Sequence, residues 1–262
     1  MFGGRRRRRE EELAALDAFR LVRRAADEDV TRFGEELTVL HLDTLGTELD
    51  DQMRTDYQRA LDAYEDAKTA LGRASTATDV SGVTRSLADG RFHQACVLAA
   101  QAGESRPARR PPCFFDPAHG PASRDVEWAP PGGVARTVPV CFRDSEKLLA
   151  AAQPEIRLVR LGDRRVMWFA SGPHYAAWAA GWYAELVAEG RFEAERLTMA
   201  YAGGGPPGQS GTQLTLAAGW SDPGAWTEGG MIGGHDYSGW GDGGFDLGSG
   251  GGGDGGGGGG GD

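Results

Sequence analysis

Three side chains carry most of the chemistry open to this sequence: Cys113, His119 and Cys141. They share one block, which opens Pro112-Cys113-Phe114-Phe115-Asp116-Pro117-Ala118-His119-Gly120 and runs through Val138-Pro139-Val140 to Cys141. Two thiols and an imidazole are the donors that zinc takes with a fourth ligand in a tetrahedron. The Cys-x2-Cys knuckle that usually marks such a site is missing, so a fourth donor must come from His174 or from a carboxylate such as Asp116 or Asp144. The same residues admit other readings. Cys113 and Cys141 could close a disulfide in an oxidising compartment. A thiol nucleophile, with His119 as base and Asp116 or Asp144 as its orienter, has the right residue types. The plainest reading is two packed thiols and a histidine pinning a Pro/Gly loop. No catalytic residue is assigned, and zinc is the one cofactor the residues suggest.

Composition narrows the setting. The chain has 262 residues and a net charge of −10. Residues 203–262 hold 27 of the 42 glycines, seven acids and no Lys or Arg, so only −3 belongs to residues 1–202. No sustained basic face calls for nucleic acid as a partner. Three cysteines are too few for a disulfide framework, which makes a reducing cytoplasm the expected compartment. No apolar run approaches the roughly 20 residues of a membrane span, so no integral membrane segment is expected. Glycine-rich stretches lack the strand, helix and lysine of a phosphate loop.

The elements that would position the block come before it. Residues 1–12 form a charged segment in which Arg5 to Arg9 precede Glu10-Glu11-Glu12. This reads as a solvated helix start, with weak contact to an anionic surface as its sharper alternative. Residues 13–103 carry a helical period: Leu13, Leu16, Phe19, Val22, Ala26, Val30, Phe33, Leu37 and Leu40 make one apolar stripe, which resumes from Leu49 to Leu71. Gly46 as a stop and Thr47 as a cap predict a coiled-coil-like helical hairpin, with a single kinked helix as competitor. Two short helices, Asp79 to Ala88 and Arg91 to Ala102, are expected either side of Gly90, with Thr78 capping the first. Cys96 belongs to the buried face of the second, and His93 to its boundary.

Residues 104–202 read as a small mixed α/β domain that holds the Cys/His block. Strands are expected over 126–129 and 137–142, a helix from Asp144 to Ala151 capped by Asp144 or Ser145, and a hairpin over 155–170. Pro173 then opens a helix. Trp168, Tyr175, Trp178 and Trp182 are rich in contact area with a polar handle, and they are candidates for an interaction surface or for the core. Residues 203–262 read as a disordered glycine-rich acidic tail.

Several runs, taken together, resemble an uncharacterised actinobacterial (high-GC Gram-positive) protein family. They are Asp27 to Leu37, Asp56 to Glu65, Arg91 to Cys96, Pro112 to Gly120 and Trp128 to Gly133. Its members combine helices, a Cys-Phe-Phe-Asp-Pro-x-His-Gly block and a glycine-rich C-terminus. The resemblance implies that residues 20–183 form one arrangement, and it brings no activity, cofactor or catalytic residue.

The sequence therefore predicts an α+β protein: a long helical hairpin, a small mixed domain and a tail. The function expected is non-enzymatic, a protein-interaction or scaffold role exercised on a protein partner or by self-association. A zinc-binding module on Cys113, His119 and Cys141 is the alternative, and a thiol-dependent hydrolase is the third reading.

Overall fold

The computed structural model describes residues 2–190 apart from 131, 132 and 134; the expected tail lies outside the described residues. The architecture is α+β, with three long helices followed by two small antiparallel sheets and short helices. Helix α1 (Phe2–Thr44) is 43 residues long, about 65 Å at 1.5 Å per residue. It turns back into α2 (Asp51–Arg73), so the hairpin replaces the single-helix alternative. Asp50 rather than Thr47 caps α2, its carboxylate accepting from the Met53 N–H at 2.7 Å. The chain stays non-helical through Asp50, and only that side chain stands beside the first free N–H groups.

Helix α3 (Val80–Gln101) corrects the expectation of two short helices, because it continues through Gly90. The glycine has another purpose here. A Cβ at position 90 would lie 2.6 Å from the Phe33 ring and 3.1 Å from the Ala63 Cβ, so the residue lets α1, α2 and α3 close on one another. The conformational cost of a mid-helix glycine, about 0.5–1 kcal/mol, is offset by that packing. Asp79 rather than Thr78 is the N-cap position of α3, and its carboxylate accepts from the backbone of Ser75 and Thr76 in the preceding turn.

The apolar stripe of α1 is buried from Val22 to Leu40, as its period requires. It does not extend to its first members: Leu13 is 62% and Leu16 49% exposed, and residues 4–17 of α1 touch solvent throughout. The N-terminal arm of α1 thus projects past its partners. The Arg5 to Arg9 run is helical, with Arg6 and Arg7 each paired to the glutamate four residues on.

Beyond α3, strands β1 (Arg124–Trp128) and β2 (Arg136–Val140) pair antiparallel with Val126 opposite Val138. Helix α4 (Phe142–Leu149) begins at once after β2. The hairpin of β3 (Leu158–Leu161) and β4 (Arg164–Met167) turns at Gly162-Asp163. After two 3-10 turns come α5 (Ala176–Trp182) and α6 (Ala184–Ala188). Pro173 lies in the second of those turns, not in α5.

Trp168, Tyr175, Trp178 and Trp182 are all buried, which corrects the expectation of an interaction surface. The short strands offer few other large apolar side chains, and these rings fill the space. Trp168 lies 5.2 Å from Phe114 and stacks on Tyr183, and Trp178 crosses Trp168 at 5.8 Å. Their polar atoms are used inward: the Trp168 indole N–H donates to the Phe114 carbonyl, and that of Trp178 to Asp29, both at 2.8 Å. One hydrophobic cluster runs from Val22, Phe33 and Leu87 on the helices to Phe114, Trp128 and Trp178 beyond them. Among the described residues no helix is long and apolar enough to cross a membrane.

Candidate metal centre

Three short segments bring Cys113, His119, Cys141 and Asp144 together. The first is the Cys113–Gly120 loop, in which nearly every residue has a local task. The Cys113 N–H donates to the Gly120 carbonyl at 3.0 Å, closing the loop, and the Tyr183 hydroxyl donates to the Cys113 carbonyl at 2.9 Å. Asp116 caps the 3-10 turn Pro117–His119 by accepting from Ala118 N–H at 2.9 Å. Pro117 is preset for that first position. Gly120, at φ +80°, ends the turn in a conformation that favours glycine. His119 is thereby turned back toward Cys113.

The second segment is the junction of β2 and α4. Phe114 N–H donates to the Pro139 carbonyl at 2.8 Å, fixing the loop beside the strand. Cys141 is the N-cap of α4, its sulfur accepting from Asp144 N–H at 3.5 Å. The helix therefore starts before Asp144 or Ser145, and the Cys141-x2-Asp144 spacing sets both side chains on one side of its first turn. The third segment, at Glu155, supplies a backbone N–H to Asp144 Oδ1 at 3.1 Å.

The donor atoms of the four residues all lie within 4.8 Å of one another. Asp144 Oδ2 is 2.9 Å from His119 Nδ1, 3.3 Å from Cys113 Sγ and 3.4 Å from Cys141 Sγ; Cys141 Sγ is 3.8 Å from His119 Nδ1. Zinc with bonds of about 2.3 Å to sulfur and about 2.0–2.2 Å to nitrogen and oxygen needs tetrahedral edges of about 3.3–3.8 Å. These four edges match within about 0.4 Å by that measure, and the two remaining edges, both to Cys113, lie within 4.8 Å. Supporting contacts are also in place. Asp144 Oδ1 is occupied by the Glu155 N–H, leaving Oδ2 as a single donor, while His119 Nε2 faces Glu155 and Asp116 carboxylates at 3.6 and 3.9 Å.

The centre is closed. Cys113 and Asp144 have no exposed surface, Cys141 is 7% exposed, and the His119 side chain 8%. No Lys or Arg nitrogen lies within 4.0 Å of Asp144 among the described residues. Burial opposes charge on Asp144, but the His119 hydrogen bond holds its carboxyl below the usual range. Burial alone would lower His119, yet its bonds to Asp144 and Cys141 carry it up to about 9. Burial pushes the Cys113 thiol well up, and the adjacent Cys141 adds to this. Cys141 comes down to about 5, because Cys113 donates to it and, against the cost of burial, His119 stabilises the thiolate. At neutral pH two of the four donor atoms thus carry protons, Cys113 Sγ and His119 Nδ1.

Cys113, His119 and Cys141, the residues singled out from sequence, are brought together, and Asp144 is the fourth candidate ligand. His174 is exposed and plays no part in the cluster. Asp116 is turned away to Arg32, at 2.9 Å. Both paired thiols are free, as is Cys96. His93 is not a boundary residue: it is buried, with Nδ1 2.7 Å from Asp56. The sign that sequence reading passed over was Cys141-x2-Asp144, a knuckle with a carboxylate in the second place. The chain matches no family model, no curated protein and no solved structure.

Proposed function

We propose that the chain is a non-catalytic zinc module: one Zn2+ on Cys113, His119, Cys141 and Asp144 staples the segment after α3, and the projecting arm of α1 serves contact with a protein. The observation that carries this reading is the convergence of two thiols, an imidazole and a carboxylate, three of them on buried residues, within 4.8 Å of one another. Structural zinc sites are four-coordinate and closed, whereas catalytic ones keep an open position.

The thiol-hydrolase alternative is disfavoured by closure: Cys113 has no exposed surface and Cys141 is 7% exposed, which leaves a substrate little access to either sulfur. Cys141 and Asp144 both face His119 Nδ1. A single ring nitrogen bonded by both a thiol and a carboxylate suits a ligand of a shared cation. Free thiols also suit a reducing compartment, consistent with residence in the cytoplasm.

Elemental analysis of the purified full chain tests the module. About one zinc per chain is expected, as for a closed four-ligand site, and it should be lost with Cys113→Ser and kept with Cys96→Ser. Equal, trace zinc in all three proteins would remove the proposal. The contact role rests on Leu13 and Leu16, which lie uncovered on the arm of α1. Light scattering tests it: association that Leu13→Lys with Leu16→Lys abolishes supports contact through the arm, and a monomer that captures no partner speaks against it.

A further inference from the structure

A cleft lies between α1 and the β3–β4 hairpin, with a volume of about 430 Å³. Five arginines line it: Arg20, Arg24, Arg157, Arg160 and Arg165. Only Asp17 and Glu28 answer them in the lining. Counting also the buried Asp29 that pairs with Arg157, a local excess of two positive charges runs against the net charge of −10.

The carboxylates are already engaged. Asp17 holds Arg20 at 3.0 Å, and Glu28 holds Arg24 at 3.4 Å and Arg157 at 3.1 Å. Arg157 also reaches the buried Asp29 at 3.0 Å. Arg160 and Arg165 remain. They are exposed, sit directly opposite each other in the β3–β4 register, and have no carboxylate within 4.0 Å among the described residues. Like charges in directly opposed positions destabilise a two-stranded sheet. This hairpin bears such a pair, with Arg164 beside it and no built-in counter-ion.

The pair is also held in place. The Tyr175 hydroxyl donates to the Arg160 carbonyl at 2.6 Å, and Val159 between Leu158 and Arg160 is buried. Directly opposed residues have Cα atoms about 4.5–5.5 Å apart, so both guanidinium forks can close on one tetrahedral oxyanion. Arginine forks match phosphate oxygens in pairs, and a multiply charged anion would use the excess that one carboxylate would leave unbalanced. Leu21, Ala25 and Leu158 give the cleft an apolar wall beside the charges.

We propose that the cleft between α1 and the β3–β4 hairpin binds a phosphate-bearing anion, gripped by Arg160 and Arg165 with Arg20, Arg24 and Arg157 lending their field. The ligand chemistry is a phosphate group with more than one negative charge or a repeat of such groups. It can come from a free phosphorylated small molecule or from a lipid headgroup.

The test uses the full-length chain and two probes, inorganic pyrophosphate by calorimetry and vesicles of phosphatidylglycerol in phosphatidylcholine by co-sedimentation. Saturable pyrophosphate binding, weakened at least about tenfold by Arg165→Glu but less than about threefold by the exposed Arg59→Glu, supports a free phosphate ligand. Co-sedimentation that Arg165→Glu abolishes, with no response to pyrophosphate, supports a lipid headgroup. Arg165→Glu also places opposite charges across the hairpin, so its Tm should equal or exceed that of the parent while binding falls. Arg165→Gln repeats the binding measurement without a new ion pair. The proposal is overturned if neither probe binds, or if Arg59→Glu weakens binding as much as Arg165→Glu. It is equally overturned if pyrophosphate does not bind and vesicle binding survives Arg165→Glu.

Discussion

Among the described residues, two aspartate–histidine pairs lie inside the protein near cysteine, and they differ in a way that separates a structural ion pair from a candidate metal centre. In the helices, Asp56 Oδ1 meets His93 Nδ1 at 2.7 Å, with Cys96 on the same helix as His93. Arg106 lays its guanidinium on both oxygens of Asp56, and Gln52 donates to it at 3.0 Å. That carboxylate has its counter-ion within the chain, and Cys96 makes no bond to the pair. Asp144, by contrast, has no Lys or Arg within 4.0 Å among the described residues, and two sulfurs join the imidazole around its Oδ2. One cluster is complete as protein. The other gathers two thiols, an imidazole and a carboxylate with no Lys or Arg beside Asp144 among the described residues, the donor set of the proposed zinc centre.

The comparison breaks first on zinc. Removing the metal with a strong chelator, or replacing Asp144 by Asn, should cost the full chain several kcal/mol in denaturant unfolding, in keeping with the about 10–16 kcal/mol of zinc binding measured for small zinc-folded peptides. The same chelation should leave the bonds around Asp56 unaffected. An unfolding midpoint unchanged by chelation would mean that the two clusters are of one kind.

Breaking the helical cluster comes next. Asp56→Ala strands a buried histidine and frees Arg106, and should cost about 3–5 kcal/mol, the usual result of removing one partner of a buried pair. Zinc content should not change, and a loss of zinc here would show that the clusters are not separate. Burial opposes the Asp56 charge, but the bonds from Arg106, Gln52 and His93 hold its carboxyl low. A depressed acid contributes stability above its unfolded value of 3.8 and loses it as the pH falls through the folded value, so this cluster fails on acidification.

The proton inventory sharpens the contrast further. Zn2+ must displace the protons of Cys113 and His119, so its affinity should rise about 100-fold per pH unit below pH 7, as two released protons require. Competition with a chromogenic chelator at several pH values measures that slope, and a flat profile would contradict the assigned protonation. Gly90→Ala tests the helical packing instead: the Phe33 ring must move, at a cost of about 1–3 kcal/mol, measurable as a lowered Tm with zinc retained. The smallest effect is expected at Asp29, whose acid is pushed up to about 6 by burial despite Arg157 and the Trp178 bond. A raised acid loses stability as the pH rises from 3.8 to about 6, and Asp29→Asn should flatten that slope.

These contrasts also show how much the chain disclosed before its structure. The stripe from Val22 to Leu40 was legible because helical period follows from local spacing alone. Gly90 was not, because whether a glycine ends a helix or admits a neighbour depends on Phe33 and Ala63 in other helices. Trp168 and Trp178 were ambiguous for a similar reason: their indole partners, Phe114 and Asp29, are distant in the chain. At the centre, Cys113, His119 and Cys141 could be named from their types. The choice of Asp144 over Asp116 needed the position of Arg32, which takes Asp116 for itself, and the start of α4 at Cys141.

The most direct measurement is the zinc K-edge X-ray absorption of the purified full chain. Two sulfur scatterers at about 2.3 Å and two nitrogen or oxygen scatterers at about 2.0–2.2 Å are predicted, with the zinc edge lost in Cys113→Ser and unchanged in Cys96→Ser. A shell without sulfur, a shell of four sulfurs, or a protein that holds no zinc would contradict the account.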